Sequence, residues 1–469
     1  MTFTSSGKCR VDARRRGERG QTILLVAISI VSLLAMAALA IDVVTLYVAS
    51  TEIQRAADAA ALAGAKAIVD SGVTTLQPTD GNVGAAEVLA QSMATAAVQA
   101  IVLATPPVNQ VAGASPVLTG GTPTFNWSQG NGNPHITVSL QQSNLPTFFA
   151  RIWGTRTAIA SASATAEAYN PSNQQNFTPI QTSCVKPWLI GNSDPLYSTP
   201  IAPVPFVTPG TGQVETPPIP VIGEQFWLSS DCSNGVLDAC TGFHQDPPGA
   251  GHVNGQSTLP FVYFVPLEAT PNTGDICPSS TASPCGGGND PSDKLAIECC
   301  NITPYTCGGN TTNASYTPSL DPGYPETGSN SDLALGTECL IHASAEQSGQ
   351  GQDTLDWSTA PFPTGPPKIK AGSGPQAGNY VSTSSSIVTI PIIDTSLTLS
   401  KTPPYSVTVV GFLQAFVTEV DDLGFNGHHG DVYITVLNVI GCSQTPNGNP
   451  PAIGGNGASP IPVRLITPP

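Results

Sequence analysis

Residues 20–66 read GQTILLVAISIVSLLAMAALAIDVVTLYVASTEIQRAADAAALAGAK. From Ile23 to Ile41 this stretch holds 19 residues without a charge, and only Ser29 and Ser32 are polar. As a helix the run spans about 28 Å, close to the ~30 Å hydrocarbon core of a bilayer. Its apolar residues surround the helix instead of forming one stripe, which predicts a membrane-spanning segment and not a surface helix. Ile23, Leu33 and Ile41 mark its start, middle and end, and Asp42 closes it.

The charge pattern gives the run a direction. Lys8, Arg10, Arg14, Arg15, Arg16 and Arg19 outweigh Asp12 and Glu18, so residues 1–20 carry +4 and the remainder carries −20 of the net −16. A basic flank on one side of an apolar span predicts a cytoplasmic N-terminus, a membrane anchor and an exported body. The competing expectation is a cleaved secretory signal, with Ala38-Leu39-Ala40 as a small-x-small cleavage site. The run is longer than the ~7–15 residues of a signal-peptide core, which favours the retained anchor.

Outward from the span, the helical pattern continues. Val43–Val69 has no proline, reaches its first glycine at Gly64, and is rich in alanine. Small and apolar residues recur at three- and four-residue steps, so one face is expected to pack closely on its own domain or on a sister helix.

Three pieces carry a resemblance: Arg14-Arg-Arg-Gly-Glu-Arg-Gly20-Gln21, then Ala40-Ile-Asp42-Val-Val-Thr-Leu-Tyr47, then Gln54-Arg-Ala-Ala57-Asp58-Ala-Ala-Ala61-Leu-Ala-Gly64-Ala65. Across about residues 16–66 the chain resembles the TadE/TadG-like family, named for Flp (tight-adherence) pilus assembly. The resemblance implies a non-enzymatic, membrane-anchored envelope protein whose partners are the lipid bilayer and other pilus-assembly proteins. Pro146–Gly154, Ala160–Ala166 and Cys184-Val-Lys-Pro187-Trp188 are weaker echoes of the same family. Prepilin-type leaders carry a glutamate at the fifth mature position. A cut after Gly20 places Leu25 there, so prepilin processing is not expected. Asp394-Thr-Ser396-Leu-Thr398 imitates a von Willebrand A metal loop, but too little chain with no alternating βα pattern follows it, and it reads as strand and turn.

Composition bounds the rest. The chain has 469 residues, Gly 46 and Pro 45 make about a fifth of it, and only 10% is charged. These values exclude a coiled coil, a compact helical enzyme and a charge-rich disordered chain. The acidic body argues against a nucleic-acid partner.

The expected fold class is α+β. Five stretches are expected: a basic leader (1–20), the span (21–42), the Ala-rich helix with a small pilin-like α+β region (43–170), a Pro/Gly/Cys-rich loop-and-strand region (171–375), and a β-rich C-terminal region with a flexible tail (376–469). Val83–Leu103 reads as a second helix stopped by Pro106-Pro107. His135–Leu140 and Thr157–Ala168 read as strands, with a short helix starting near Pro146–Trp153. Ser386–Ile393, Tyr405–Val417 and Asp431–Val439 read as further strands, with a hairpin turn over Asp421–Gly430.

Of 11 cysteines, Cys9 precedes the span. The other ten, Cys184, Cys232, Cys240, Cys277, Cys285, Cys299, Cys300, Cys307, Cys339 and Cys442, predict up to five disulfides in an oxidising compartment. Cys232/Cys240 and Cys277/Cys285 are the local pairs expected. The adjacent Cys299 and Cys300 are expected to take different partners.

Asp421, Asp422, His428 and His429, near Glu419 and Asp431, are weak metal candidates. A solvated turn accounts for them better. No P-loop, His-Glu-x-x-His helix or Gly-x-Ser-x-Gly elbow is present, and no catalytic residue or cofactor is expected. The alternative function is an exported surface adhesin or ligand-binding protein that uses the same anchor.

Overall fold

The structure is a computed structural model. It describes residues 15–76, 83–104, 109–127, 133–147, 149–154, 157–173, 179–198, 204–214, 221–230, 245–246, 260–267, 274–278, 285, 292–307, 314–315, 332–342, 351–357, 367–381, 383–394, 406–420, 431–442, 453–455 and 459–467.

In chain order, the first half holds helix α1 (Arg15–Asp70), helix α2 (Val83–Val102), and strands β1 (Val117–Leu118), β2 (Thr124–Asn126), β3 (His135–Pro146), β4 (Thr157–Ala168), β5 (Ile180–Thr182), β6 (Trp188–Gly191), β7 (Gln225–Ser230) and β8 (Gln245–Asp246). The second half holds β9 (Phe261–Pro266), α3 (Ser292–Glu298), β10 (Tyr305–Cys307), β11 (Ala314–Ser315), α4 (Asp332–Leu340), β12 (Thr354–Asp356), β13 (Lys368–Lys370), β14 (Tyr380–Val381), β15 (Ile387–Ile393), β16 (Ser406–Val407), β17 (Val409–Val420), β18 (Val432–Gly441), β19 (Ile453–Gly455) and β20 (Val463–Ile466). Helix and strand are mixed, as an α+β chain requires.

The chain forms two compact units. The smaller comprises 1–60, 99–123 and 138–164; the larger comprises 61–98, 124–137 and 165–469.

In the smaller unit, α1 is one uninterrupted helix across the apolar run and beyond it, because neither glycine nor proline breaks residues 21–60. β1 pairs antiparallel with the second half of β3, Val117 opposite Gln141. Ser139 and Ser163 share a hydroxyl hydrogen bond of 3.0 Å. The Glu52 carboxylate accepts the Ala112 N–H at 2.8 Å and ties a loop to the helix.

In the larger unit, the end of α1 packs on α2 and β3 at Gly64. A Cβ there would lie 2.4 Å from the Ile136 Cδ1 and 3.0 Å from a Val98 methyl, so the side-chain-free position sets how closely the elements approach. β20 pairs antiparallel with the end of β4, Val463 opposite Ala168. Glu167 sits at that seam and accepts from Arg464 at 2.7 Å. Burial pushes the Glu167 carboxyl up, but the bonds from His135 and Arg464 outweigh it and hold it below its usual range.

The main body of the larger unit is a seven-stranded sheet in the order β6-β15-β17-β18-β7-β9-β8. β6 also pairs with β9, so six strands close on themselves into a barrel with β8 at the rim. β15, β17 and β18 read as near-continuous Val, Ile, Leu and Phe because they are covered on both faces. One cluster of buried apolar residues, Trp188, Phe206, Phe226, Phe264 and Leu413 among them, packs the barrel with Ile297 from α3 and Leu333 from α4.

Four disulfides join described residues: Cys184–Cys300, Cys277–Cys299, Cys285–Cys339 and Cys307–Cys442. The expected pair Cys277/Cys285 is therefore corrected. α3 and α4 pack against each other, with Gly336 close to Ile297, and this places Cys339 rather than Cys277 against Cys285. Cys299 and Cys300 do take different partners, because the bridge Ile276↔Cys300 lays the 277 side of the chain along them. Cys232 and Cys240 lie outside the described residues.

Two helices, α3 and α4, stand where only loops and short strands are expected from composition. They are short, of 7 and 9 residues, below the length at which apolar periodicity is readable. Near Pro146, β3 runs on to that residue, and a single 3-10 turn, Ala150–Trp153, replaces the expected helix start.

Candidate functional site

The described side chains in the early turns of α1, from Gln21 onward, are unpacked. Every residue from Gln21 to Leu34 is exposed, Ile23 at 71% and Leu33 at 65%. Exposed apolar surface of this kind, all around a helix, is stable in a lipid environment and not in water. Packing begins at Ala38 and Asp42 and becomes dense from Ile53 onward. α2 is also long and apolar enough to cross a membrane, but it buries Ala86, Ala90, Ala94, Val98 and Val102, one residue in four, as a packed helix does.

Asp42 is the pivot between the two behaviours. It is a carboxylate at the end of an apolar run, and only 4% of it is exposed. Its Oδ2 accepts the N–H of Ala150 at 2.6 Å and that of Phe149 at 3.0 Å. Those N–H groups open the 3-10 turn Ala150–Trp153, whose first amides lack partners inside the turn. The side chain of the helix thus caps the turn, and the charge is met by two donors instead of water.

The other positions of the 54–65 segment divide by face. Gln54 Nε2 donates to the Asp58 Oδ1 at 2.8 Å, one turn on. Ala57, Ala61 and Ala65 are fully buried, and with Gly64 they form the close-packing face. Tyr47 stays 70% exposed, as do Val43 and Val44 beside it at 57% and 61%. Ile41 is exposed as well. Gly20 and Gln21 lie in the first turns of the helix.

A second cluster lies in the larger unit, where sequence reading marked only a Cys-Val-Lys-Pro-Trp string. Lys186 is 4% exposed, and its Nζ donates to the Ile297 carbonyl at 2.5 Å and the Cys299 carbonyl at 2.9 Å. Burial pulls its pKa down to about 7, with the Glu298 carboxylate opposing the shift. The ammonium thus clips β6 to the end of α3, beside the Cys184–Cys300 bridge. Cys285, Glu298 and Cys339 come within metal-ligand distance of one another, but both cysteines are spent in a disulfide, which leaves no thiolate for a metal. The weak metal candidates Asp421, Asp422, His428 and His429 lie outside the described residues, and Asp431 is a buried residue just before β18.

A third group, also not marked by the sequence, is a pair of buried carboxyls. Burial, and the neighbouring Asp194 charge, push Glu224 up to about 10. Asp194 is itself pushed up to about 6 by burial, against the N–H groups of Leu196 and Tyr197 that its Oδ1 accepts.

These features define a class: a chain whose long N-terminal helix opens with a bare apolar segment fit to cross a bilayer and continues as a packed, Ala-faced helix. Residues 20–67 match the family model described as "Putative Flp pilus-assembly TadE/G-like", about a tenth of the chain. Its N-terminal region is thus TadE/G-like, and the matched residues include Asp42, Tyr47, Gln54, Asp58 and Gly64. No curated protein matches the chain, and no solved structure does.

Proposed function

We propose that this chain is a non-enzymatic, membrane-anchored component of a Flp-type pilus or tight-adherence assembly. The observation that carries the reading is the match over 20–67, together with the bare apolar turns of that same segment. In this reading residues 1–20 are cytoplasmic, Ile23–Ile41 spans the inner membrane, and the disulfide-stapled body faces the periplasm or the cell surface. The small α+β region formed by α1, β3 and β4 serves as a pilin-like contact module, and its partners are other assembly proteins.

The test replaces Leu33 with Arg in the chromosomal copy. An arginine at mid-bilayer costs ~2.5–3.5 kcal/mol on insertion scales. The expected result is loss of the protein from carbonate-washed membranes, together with loss of pili and surface adherence. Full membrane retention would overturn the anchor. Retained pili in a strain lacking the gene, with binding of a surface glycan by the full chain, would favour the adhesin reading instead.

A further inference from the structure

A cavity of about 300 Å³ opens in the larger unit, with walls from the end of α1, the middle of α2 and the strands β12, β13, β14, β15, β17 and β18. Its lining is mostly apolar, with Met93, Ala96, Ile369, Val381 and Leu437 contributing. Three polar residues interrupt it: Asp70, Gln414 and Asn438. A concave, mainly apolar pocket with a few convergent polar groups is the usual form of a small-molecule site.

The polar floor has a fixed sense. Gln414 and Asn438 are direct cross-strand partners on β17 and β18. Asn438 Nδ2 donates to the Val69 carbonyl at 3.1 Å and to the Gln414 Oε1 at 2.7 Å. Its Oδ1 accepts the Thr75 hydroxyl at 3.4 Å. These bonds leave one orientation for the Gln414 carboxamide, with the oxygen toward Asn438 and the nitrogen away from it. Gln414 is only 4% exposed, and its Nε2 has no hydrogen-bond partner among the described residues. Because Gln414 lines the cavity, this amide is a donor available to an occupant. Asp70 adds a carboxylate to the lining, paired with Lys66 one turn back. That negative charge disfavours an anion and can accept an N–H.

We propose that this cavity binds a neutral, ring-sized apolar molecule bearing an amide or similar carbonyl group, with the carbonyl on Gln414 Nε2 and a donor toward Asp70. The site is independent of the assembly role and of the membrane anchor.

The chain has only 3 methionines, Met1, Met36 and Met93. Met93 lines the cavity, whereas Met36 lies in the bare apolar turns of α1 and is 70% exposed. Methyl-¹³C methionine spectra of the full chain in lipid nanodiscs therefore separate binding from partition into lipid. The probes are acetanilide, ethylbenzene and benzoate. The expected result is a saturable shift of Met93 with acetanilide, and none with benzoate. Gln414→Leu should weaken acetanilide about tenfold, the size of one hydrogen bond, and leave ethylbenzene unchanged, which also shows that the cavity is intact. Ala96→Phe should fill the space and abolish both shifts. An unmoved Met93, a Met93 shift that only follows Met36 without saturating, or an acetanilide affinity unchanged in Gln414→Leu would each overturn the proposal.

Discussion

The Asp42 carboxylate lies 2.6 Å from the backbone nitrogen of Ala150, and the same oxygen also takes the N–H of Phe149. A residue that sequence reading treats as the end of a membrane span is thus a structural cap on a turn 108 residues further along the chain. Replacing it with Leu removes the acceptor and leaves two part-buried donors unpaired, at up to ~1–3 kcal/mol for each. Amide hydrogen exchange at Phe149 and Ala150 should accelerate by at least tenfold in Asp42→Leu. Asn, which keeps one acceptor oxygen, should give a smaller change. Equal protection in wild type and Asp42→Leu would show that the cap does not hold the turn.

Gly64 meets Ile136 and Val98 so closely that a larger residue must displace one of them. The Ile136 contact is the end of a flexible side chain, so Gly64→Ala should cost ~1–2 kcal/mol, and Gly64→Val ~3 kcal/mol or more. Thermal unfolding followed by tryptophan fluorescence should rank wild type above Ala and Ala above Val. A Val variant as stable as wild type would mean that α1 does not pack against β3 as described.

Glu224 fixes the sign of a pH dependence. Its folded-state pKa of about 10 lies far above the unfolded value of ~4.3, so the folded chain holds a proton that the unfolded chain releases. The contribution of Glu224 to stability is then full in acid and is lost as pH rises from ~4.5. Asp194, at about 6 when folded, adds to the decline between pH ~3.9 and about 6. Lys186 acts in the opposite sense from about 7 upward, because the unfolded chain keeps that proton to ~10.4. The urea midpoint should therefore fall between pH 5 and pH 7 and level out above. Glu224→Gln should flatten the fall and raise the midpoint at pH 7. A slope unchanged by Glu224→Gln would refute the assignment.

The disulfide set is directly checkable. Non-reducing peptide mapping should recover Cys184 with Cys300, Cys277 with Cys299, Cys285 with Cys339 and Cys307 with Cys442. Cys442→Ala opens a closure between residues 135 apart in sequence and should cost ~2–5 kcal/mol, seen as a lower urea midpoint. Recovery of a Cys277–Cys285 peptide instead would contradict the packing of α3 on α4.

Legibility in the sequence followed the range of the forces involved. The span, α2 and the strands β15, β17 and β18 announce themselves through local composition and periodicity. The 54–65 segment is readable as a motif, and the structure gives several of its residues a reason: the buried alanines and Gly64 for closeness, Gln54 and Asp58 for a bond along the exposed face. What stayed hidden depends on residues far apart. Nothing near Asp42 announces Ala150, and nothing near Gln414 announces Val69. Lys186 stands in the Cys184-Val-Lys-Pro187-Trp188 string, and nothing in that string announces the carbonyls at the end of α3 that it meets. The helices α3 and α4 were lost among Pro, Gly and Ser because each is stabilised by its disulfides and its neighbours more than by its own propensity.

Two of the bridges also impose a timetable. Cys184 and Cys300 are separated by 116 residues, and Cys307 and Cys442 by 135. If the body is exported in chain order behind a retained N-terminal anchor, as proposed above, Cys184 must wait for more than a hundred residues before its partner emerges, with Cys232, Cys240, Cys277, Cys285 and Cys299 all arriving earlier as wrong choices. Cys307 remains an open thiol until β18 has been delivered. Under the proposed export, maturation is sequential and late-sealing, and the chain would suit an oxidase that is slow to commit and an isomerase that can undo early mistakes.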